Sequence, residues 1–315
     1  MGSPCADSRG IFLAKKINNI LTYFKNYLYN FSNMSYNPEY YLTKKESKEE
    51  AQKKIREIKE KIYEVLKKLY PQLPVDKNLR IDHNHPIFKD SFSEKEIDED
   101  NQKINKAETH FLKNKKSMTE SESEEETISS GEALEILKTY LINKHCQQKL
   151  ICVRTSRYDD IFNQTDNIII DKENGEILAA LDEVADIGSN LYYQKYKKVK
   201  ENNLAEGTKV KYAITLKDGN NFTSQCNLTN VPMVLFALSE QVLWGVIKLD
   251  NSDPAKKNNI EINVIKHFQE MIGNLIKDLE SEKKLLVGLS QNQERVEEIE
   301  QRLKKIKTLY NLLKV

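Results

Sequence analysis

From Lys45 to Leu69 the apolar residues Ile55, Ile58, Ile62, Val65 and Leu69 recur at intervals of three and four among charged positions, and Pro71 and Pro74 end the run. That period predicts an amphipathic helix with one buried face. An earlier set, Ile17, Ile20, Phe24, Tyr27 and Phe31, predicts another over residues 11–31. Its lysines (Lys15, Lys16, Lys25) suit a membrane surface, but docking on a protein core is the commoner use of such a stripe. Between 75 and 128 the period fades, and "MTESESEEET" (118–127) is acidic and of low complexity, which predicts a largely irregular linker with short helices near 94–116.

A different pattern begins at Ser129. Ser129 and Glu132 have capping-box spacing, and Leu134, Leu137, Tyr140 and Leu141 make one face of a helix to about Lys144. Short apolar runs follow at 149–155, 166–171 and 176–184, the last after an "ENG" turn. A helix is expected over 190–203, strands over 208–216, 221–228 and 231–238, and a closing helix capped by Ser239. This α-β-β-β-α-β order, with a further strand and helix, predicts an α+β fold in which a central mixed sheet carries helices against it.

The C-terminal stretch is helical in period from Ile260 to Val287; "GLSQNQ" then supplies a glycine stop and a Ser290–Gln293 capping box. Beyond it Val296, Ile299, Leu303, Ile306, Tyr310 and Leu313 step by three and four as a heptad seam. Two helices with a short turn predict an antiparallel hairpin, packed on the N-terminal helices or paired between chains. The expected organisation is an N-terminal helical region (1–74), an acidic linker (75–128), an α/β core (129–250) and a helical hairpin or coiled coil (259–315).

Composition narrows the function classes. A formal net charge of +1 gives no whole-molecule field that attracts nucleic acid, so any phosphate-binding surface is local. Arginine supplies only seven of the 49 basic residues, a skew that fits the codon bias of an AT-rich genome better than selection for bidentate phosphate recognition. The four cysteines lack CxxC spacing and suit reduced thiols in the cytoplasm. Residues 11–31 are too interrupted by Lys and Asn to span a membrane. In "DHNHP", Asp82, His83 and His85 offer metal-ligand types, but with no helix to fix them a solvated loop is the expected reading. No glycine-rich phosphate loop and no G-x-S-x-G elbow is present.

The candidate chemistry lies in "TDNIIIDKENGEILAALDEVAD" (165–186). Asp166 opens one strand, while Asp182 and Glu183 stand near the end of the next. In an antiparallel hairpin these are cross-strand neighbours, and alternation allows only one of the acidic pair to join Asp166. Leu181 and Val184 cannot both point inward, which suggests a strand end or bulge there. Converging carboxylates beside cationic groups are what Mg2+-dependent phosphodiester cleavage requires. Lys195, Lys197, Lys198 and Lys200 on the following helix suit that cationic role, or else form the solvated face of an amphipathic helix. Asp159 and Asp160 either extend the pocket or, as is commoner, cap a turn.

Over residues 129–240 the chain resembles the PD-(D/E)XK nuclease superfamily, through the α-β-β-β-α-β order, Asp166 at a strand opening and Asp182 in "ILAALDEV" sixteen positions later. The block "RYDDI…TDNIII…ALDEV" is also similar to stretches in proteins of small-genome candidate-phylum bacteria. The resemblance implies a restriction-endonuclease-like fold and an Mg2+-dependent nuclease. Asp166 is then the first metal ligand, Asp182 the acid of the motif, and Glu132 or Glu135 the first-helix acid. Val184 stands where the motif lysine belongs, so Lys195 or Lys198 is expected to supply the displaced base. The alternative is a non-catalytic scaffold whose heptad seam binds another protein or a second copy.

Overall fold

The structure, a computed structural model, describes residues 45–116, 128–217, 221–249, 252–287 and 293–314, with the backbone alone described at 45–48 and 112–116. The expected helix at 11–31, the acidic run 118–127 and the Ser290 cap lie outside the described residues. The chain divides at residue 48, and residues 49–315 form one compact unit. Within it the long N-terminal helix, the sheet and the C-terminal hairpin share one core instead of separating into regions.

Among the described residues the α-helices are α1 (Lys45–Leu69), α2 (Glu94–Lys116), α3 (Ser130–His145), α4 (Asn190–Leu204), α5 (Glu240–Lys248), α6 (Pro254–Val287) and α7 (Gln293–Leu312). The strands are β1 (Leu150–Arg154), β2 (Asn167–Asp171), β3 (Ile177–Val184), β4 (Thr208–Lys217), β5 (Asn221–Val231) and β6 (Met233–Ala237). Four strands make a mixed sheet in the order β1-β2-β3-β6, antiparallel at the first two pairings and parallel at the last. The hairpin β4–β5 stands apart as a two-stranded ribbon, inserted between α4 and β6. The expected α+β class and mixed sheet with flanking helices are therefore present.

Every residue of β1, β2, β3 and β6 is buried, as befits strands covered on both faces. Alternation then divides side chains between two buried faces. Asn167 turns its amide to Thr139 Oγ1 of α3 at 2.8 Å, so its face is the α3 face. Glu183 reaches Lys138 of α3, while Asp182 turns the other way to Lys195 of α4. No bulge is needed at 181–184, because inward and outward are both core there. The register shift lies instead between Ile169 and Ile170.

The outer edge of β1 is covered by the segment before α2, through Ile81 N to Arg154 O at 3.0 Å and Arg154 N to Leu79 O at 3.1 Å. Pairing an edge this way removes a template for aggregation. Residues 75–116 are thus ordered: the helix expected near 94–116 is present as α2, and the stretch before it, expected to be irregular, pairs with the edge of β1. Phe88 and Phe92 pack on Tyr212 of β4, with ring centroids 5.4 and 4.8 Å apart. Buried Asp100 of α2 accepts from Lys103 at 2.9 Å, from Tyr212 Oη at 2.8 Å and from Lys211. A polar anchor of this kind holds a helix whose apolar stripe is short. The histidines of "DHNHP" are structural: His83 Nε2 meets Asn101 Oδ1 at 2.8 Å, and His85 Nδ1 accepts from Ile87 N at 3.2 Å.

The heptad seam is consumed within the chain. Ile299, Leu303, Ile306 and Leu313 are buried, facing a core that includes Phe268, Ile272 and Leu275 of α6. Among them sits Arg302, 1 % exposed, whose guanidinium donates to Asn203 O at 2.9 Å, to Ala205 O at 2.8 Å and to Asn230 Oδ1. These carbonyls close the C-terminal end of α4, where a helix leaves acceptors without intrahelical partners. Truncation after Gln301 is therefore expected to give a protein that lacks cooperative thermal unfolding; a sharp melt like that of the full chain would contradict this role.

Candidate functional site

The site forms where the N-terminal half of α3 crosses the ends of β1, β2 and β3. Ser129 caps α3 by accepting from Glu132 N at 3.2 Å, which sets the rotation of the helix. Glu135 and Lys138, one turn apart, then share its sheet-facing side. Asp166 enters β2, and Glu183 lies near the end of β3. One carboxylate oxygen from each of Glu135, Asp166 and Glu183 lies within 4.8 Å of the others. Asp166 Oδ2 also accepts from the Glu183 backbone N–H at 3.2 Å.

Cations surround this cluster. Lys138 Nζ, fully buried, donates to Glu183 Oε2. Arg154 of β1 donates to Glu135 Oε2 and to Asn78 O at 3.0 Å. Arg80 bridges Glu135 Oε2 and Asp160 Oδ2, both at 3.1 Å. Glu183 Oε1 is nonetheless buried without a hydrogen-bond partner. Burial, reinforced by the neighbouring Glu135 charge and opposed by Lys138, pushes the Asp166 carboxyl well above the usual aspartate range. Burial likewise depresses Lys138, against the pull of Asp166.

The candidate residues separate accordingly. Asp166 is in the cluster, joined by Glu183 and not by Asp182. Asp182 pairs with Lys195 Nζ at 2.5 Å on the α4 face, so the sheet stands between it and Lys138. Lys195 also donates to Glu183 O at 2.6 Å, and Lys198 is engaged with Gln164. Of the two first-helix acids, Glu135 reaches the site. Glu132 is half-exposed, 3.9 Å from Arg154. Asp159 and Asp160 divide the two roles considered for them. Asp159 is buried in a single π-helical turn and accepts from Lys211 N at 2.6 Å and Tyr212 N at 3.0 Å, whereas Asp160 reaches the cluster through Arg80.

Lys138 is the member that strand-based reasoning missed. Its signal was a lysine within the apolar stripe of α3, between Leu137 and Leu141, three residues after Glu135.

The raised Asp166 carboxyl has a consequence for stability. A group that holds its proton more tightly when folded destabilises the folded chain once both states are ionised, so stability rises as pH falls through the folded value toward the ordinary one near 3.8. In metal-free buffer, melts from pH 7 downward should show the wild type gaining on Asp166→Asn as acidity increases. Parallel profiles would mean that Asp166 does not titrate in this way.

No protein-family model, curated protein or solved structure matches this chain. Among the described residues no helix is long and apolar enough to cross a membrane.

Proposed function

We propose that this chain is a metal-dependent phosphodiesterase of the PD-(D/E)XK-like type acting on nucleic acid, with Glu135, Asp166 and Glu183 as ligands of an Mg2+-class cation. The observation that carries this reading is the buried Glu183 Oε1, which has no donor in a group where one carboxylate oxygen each of Glu135, Asp166 and Glu183 lies within 4.8 Å of the others. A buried carboxylate oxygen without a partner is costly, and a hard cation with oxygen ligands supplies what is missing. The order α3-β1-β2-β3-α4 supports the restriction-endonuclease-like resemblance, although the next strand, β4, belongs to the separate β4–β5 ribbon and it is β6 that completes the sheet beside β3.

Glu135, Asp166 and Glu183 would hold such a cation, which would supply Lewis-acid polarisation of a phosphate and activation of water. The chain's own groups divide the remaining work. Glu135 and Glu183 are held in place by Arg154 and Lys138, so their oxygens are aimed before substrate arrives. The Lys138 ammonium, beside Glu183, takes the place of the motif lysine that Val184 cannot provide and stabilises developing negative charge. Arg157, just before the π-helical turn, is already paired with Glu108 and Asp160, each at 2.6 Å, and so holds that turn to α2.

A second reading has its own observation. Arg80 and Arg154 converge on a single Glu135 oxygen, as in a charge network that only binds α3 to the sheet. Calorimetry with Mn2+ separates the two. Wild type and Asp182→Asn should bind one ion, and Asp166→Asn, which keeps the acceptor for Glu183 N–H, should lose at least tenfold in affinity. An Mg2+-dependent cleavage assay on single- and double-stranded DNA and RNA follows the same order. Absence of Mn2+ binding by the wild type would leave the purely structural network.

A further inference from the structure

Away from the carboxylate cluster, a cavity of about 780 Å3 opens between α1, α3 and the junction of α5 with α6. Its size falls in the usual small-molecule range of about 300–1,000 Å3. Its floor is aliphatic: Ile58, Ile62 and Leu66 from one face of α1, with Ile247 of α5. Val65, 41 % exposed, lines it as well, so apolar surface continues toward solvent. Between Lys54 and Leu66, α1 runs about 18 Å at its normal rise, room for an extended chain of about a dozen carbons.

The charged groups around this trough are unbalanced in sign. Lys54, Lys61, Lys144 and Lys257 line it, against the single carboxylate of Glu57. Two acids outside the lining moderate the excess: Glu50 lies 2.9 Å from Lys54, and Glu261 lies 2.5 Å from Lys144. Lys257 donates to Leu249 O at 3.4 Å. Burial holds its ammonium below the ordinary lysine range; Glu261 opposes this, and the charges of Lys144, Lys61 and Lys54 add to it. An anion placed among these lysines relieves their mutual repulsion, and an aliphatic tail covers the floor.

We propose that this trough binds a single-chain anionic amphiphile, a fatty carboxylate being the simplest member of the class. The two halves of the ligand make separate, measurable contributions. Each buried methylene strengthens binding about fourfold, and the head group selects on sign.

Titration calorimetry on the full chain tests this with dodecanoate, octanoate, dodecyltrimethylammonium and inorganic phosphate, each below any micelle concentration. The expected result is one dodecanoate per chain, bound at least fiftyfold more tightly than octanoate and at least tenfold more tightly than the cationic analogue. Lys61→Glu and Val65→Glu, both at exposed positions, should each weaken dodecanoate about tenfold while melting like the wild type. Equal affinity for the two head-group signs would overturn the proposal. So would indifference to chain length, displacement by phosphate alone, or no binding by the wild type, and none of these readings depends on how either variant folds.

Discussion

Lys138→Met is expected to destabilise the protein by about 3–5 kcal/mol, the usual cost of stranding one member of a buried ion pair. Lys138 has no solvent exposure, and Glu183 is 5 % exposed. With the ammonium gone, Glu183 keeps one oxygen that had no donor and a second that has lost its own. The carboxyl then either ionises unsolvated or takes up a proton, and both are unfavourable at neutral pH. The double substitution Lys138→Met/Glu183→Leu replaces the pair by apolar groups of similar size and should recover most of the loss. Urea denaturation of the four members of this cycle checks the expectation. A single variant within 1 kcal/mol of the wild type would mean that Lys138 is not the counter-charge of Glu183 in solution. Added Mn2+ should stabilise Lys138→Met more than the wild type, because a cation restores the missing partner, whereas the purely structural network predicts no such difference.

Gly175→Ala should be comparably damaging for a different reason. The residue sits in the β2–β3 turn at φ +73°, and an added Cβ would lie 1.8 Å from the carbonyl oxygen of Leu216. Left-handed backbone alone costs an alanine on the order of 1 kcal/mol. The overlap is with main chain of β4, so relief requires the ribbon to move off the sheet. A total of about 3 kcal/mol or more is expected, with loss of amide protection along both β2–β3 and β4 in hydrogen exchange. Protection lost only in the turn itself would show that the ribbon docks independently of Gly175.

The legible part of this molecule was its local grammar. The strands over 150–154, 167–171, 177–184 and 233–237 follow directly from short apolar runs, and the Ser129 and Ser239 caps follow from side-chain chemistry at a helix start. The helix near 94–116 was legible, but the docking of residues 75–116 was not, because it comes from distant partners. Asp100 is held by Tyr212 and Lys211, over a hundred residues away, and no window of sequence contains that contact. The candidate site shows the same division. Alternation correctly required Asp182 and Glu183 to part, but not which of them Asp166 would meet. Asp166 lies just before the first residue of β2, its N–H still bonded to Leu181 O at 2.8 Å, and its carboxylate accepts from the Glu183 backbone N–H at 3.2 Å. Lys138 was hidden by its setting, since a lysine within an apolar helical stripe reveals its purpose only when the sheet supplies its partner.

Arg302 carries an implication for how the protein is made. The donor that closes the end of α4 stands 99 residues after Asn203, so during synthesis the helix, its strand neighbours and the β5 residue Asn230 all leave the ribosome before their clasp exists. The nascent sheet must wait with apolar surface uncovered, the period in which chains of this size are most open to chaperones and to aggregation. Closure of the C-terminal end of α4 thus waits for the arrival of α7.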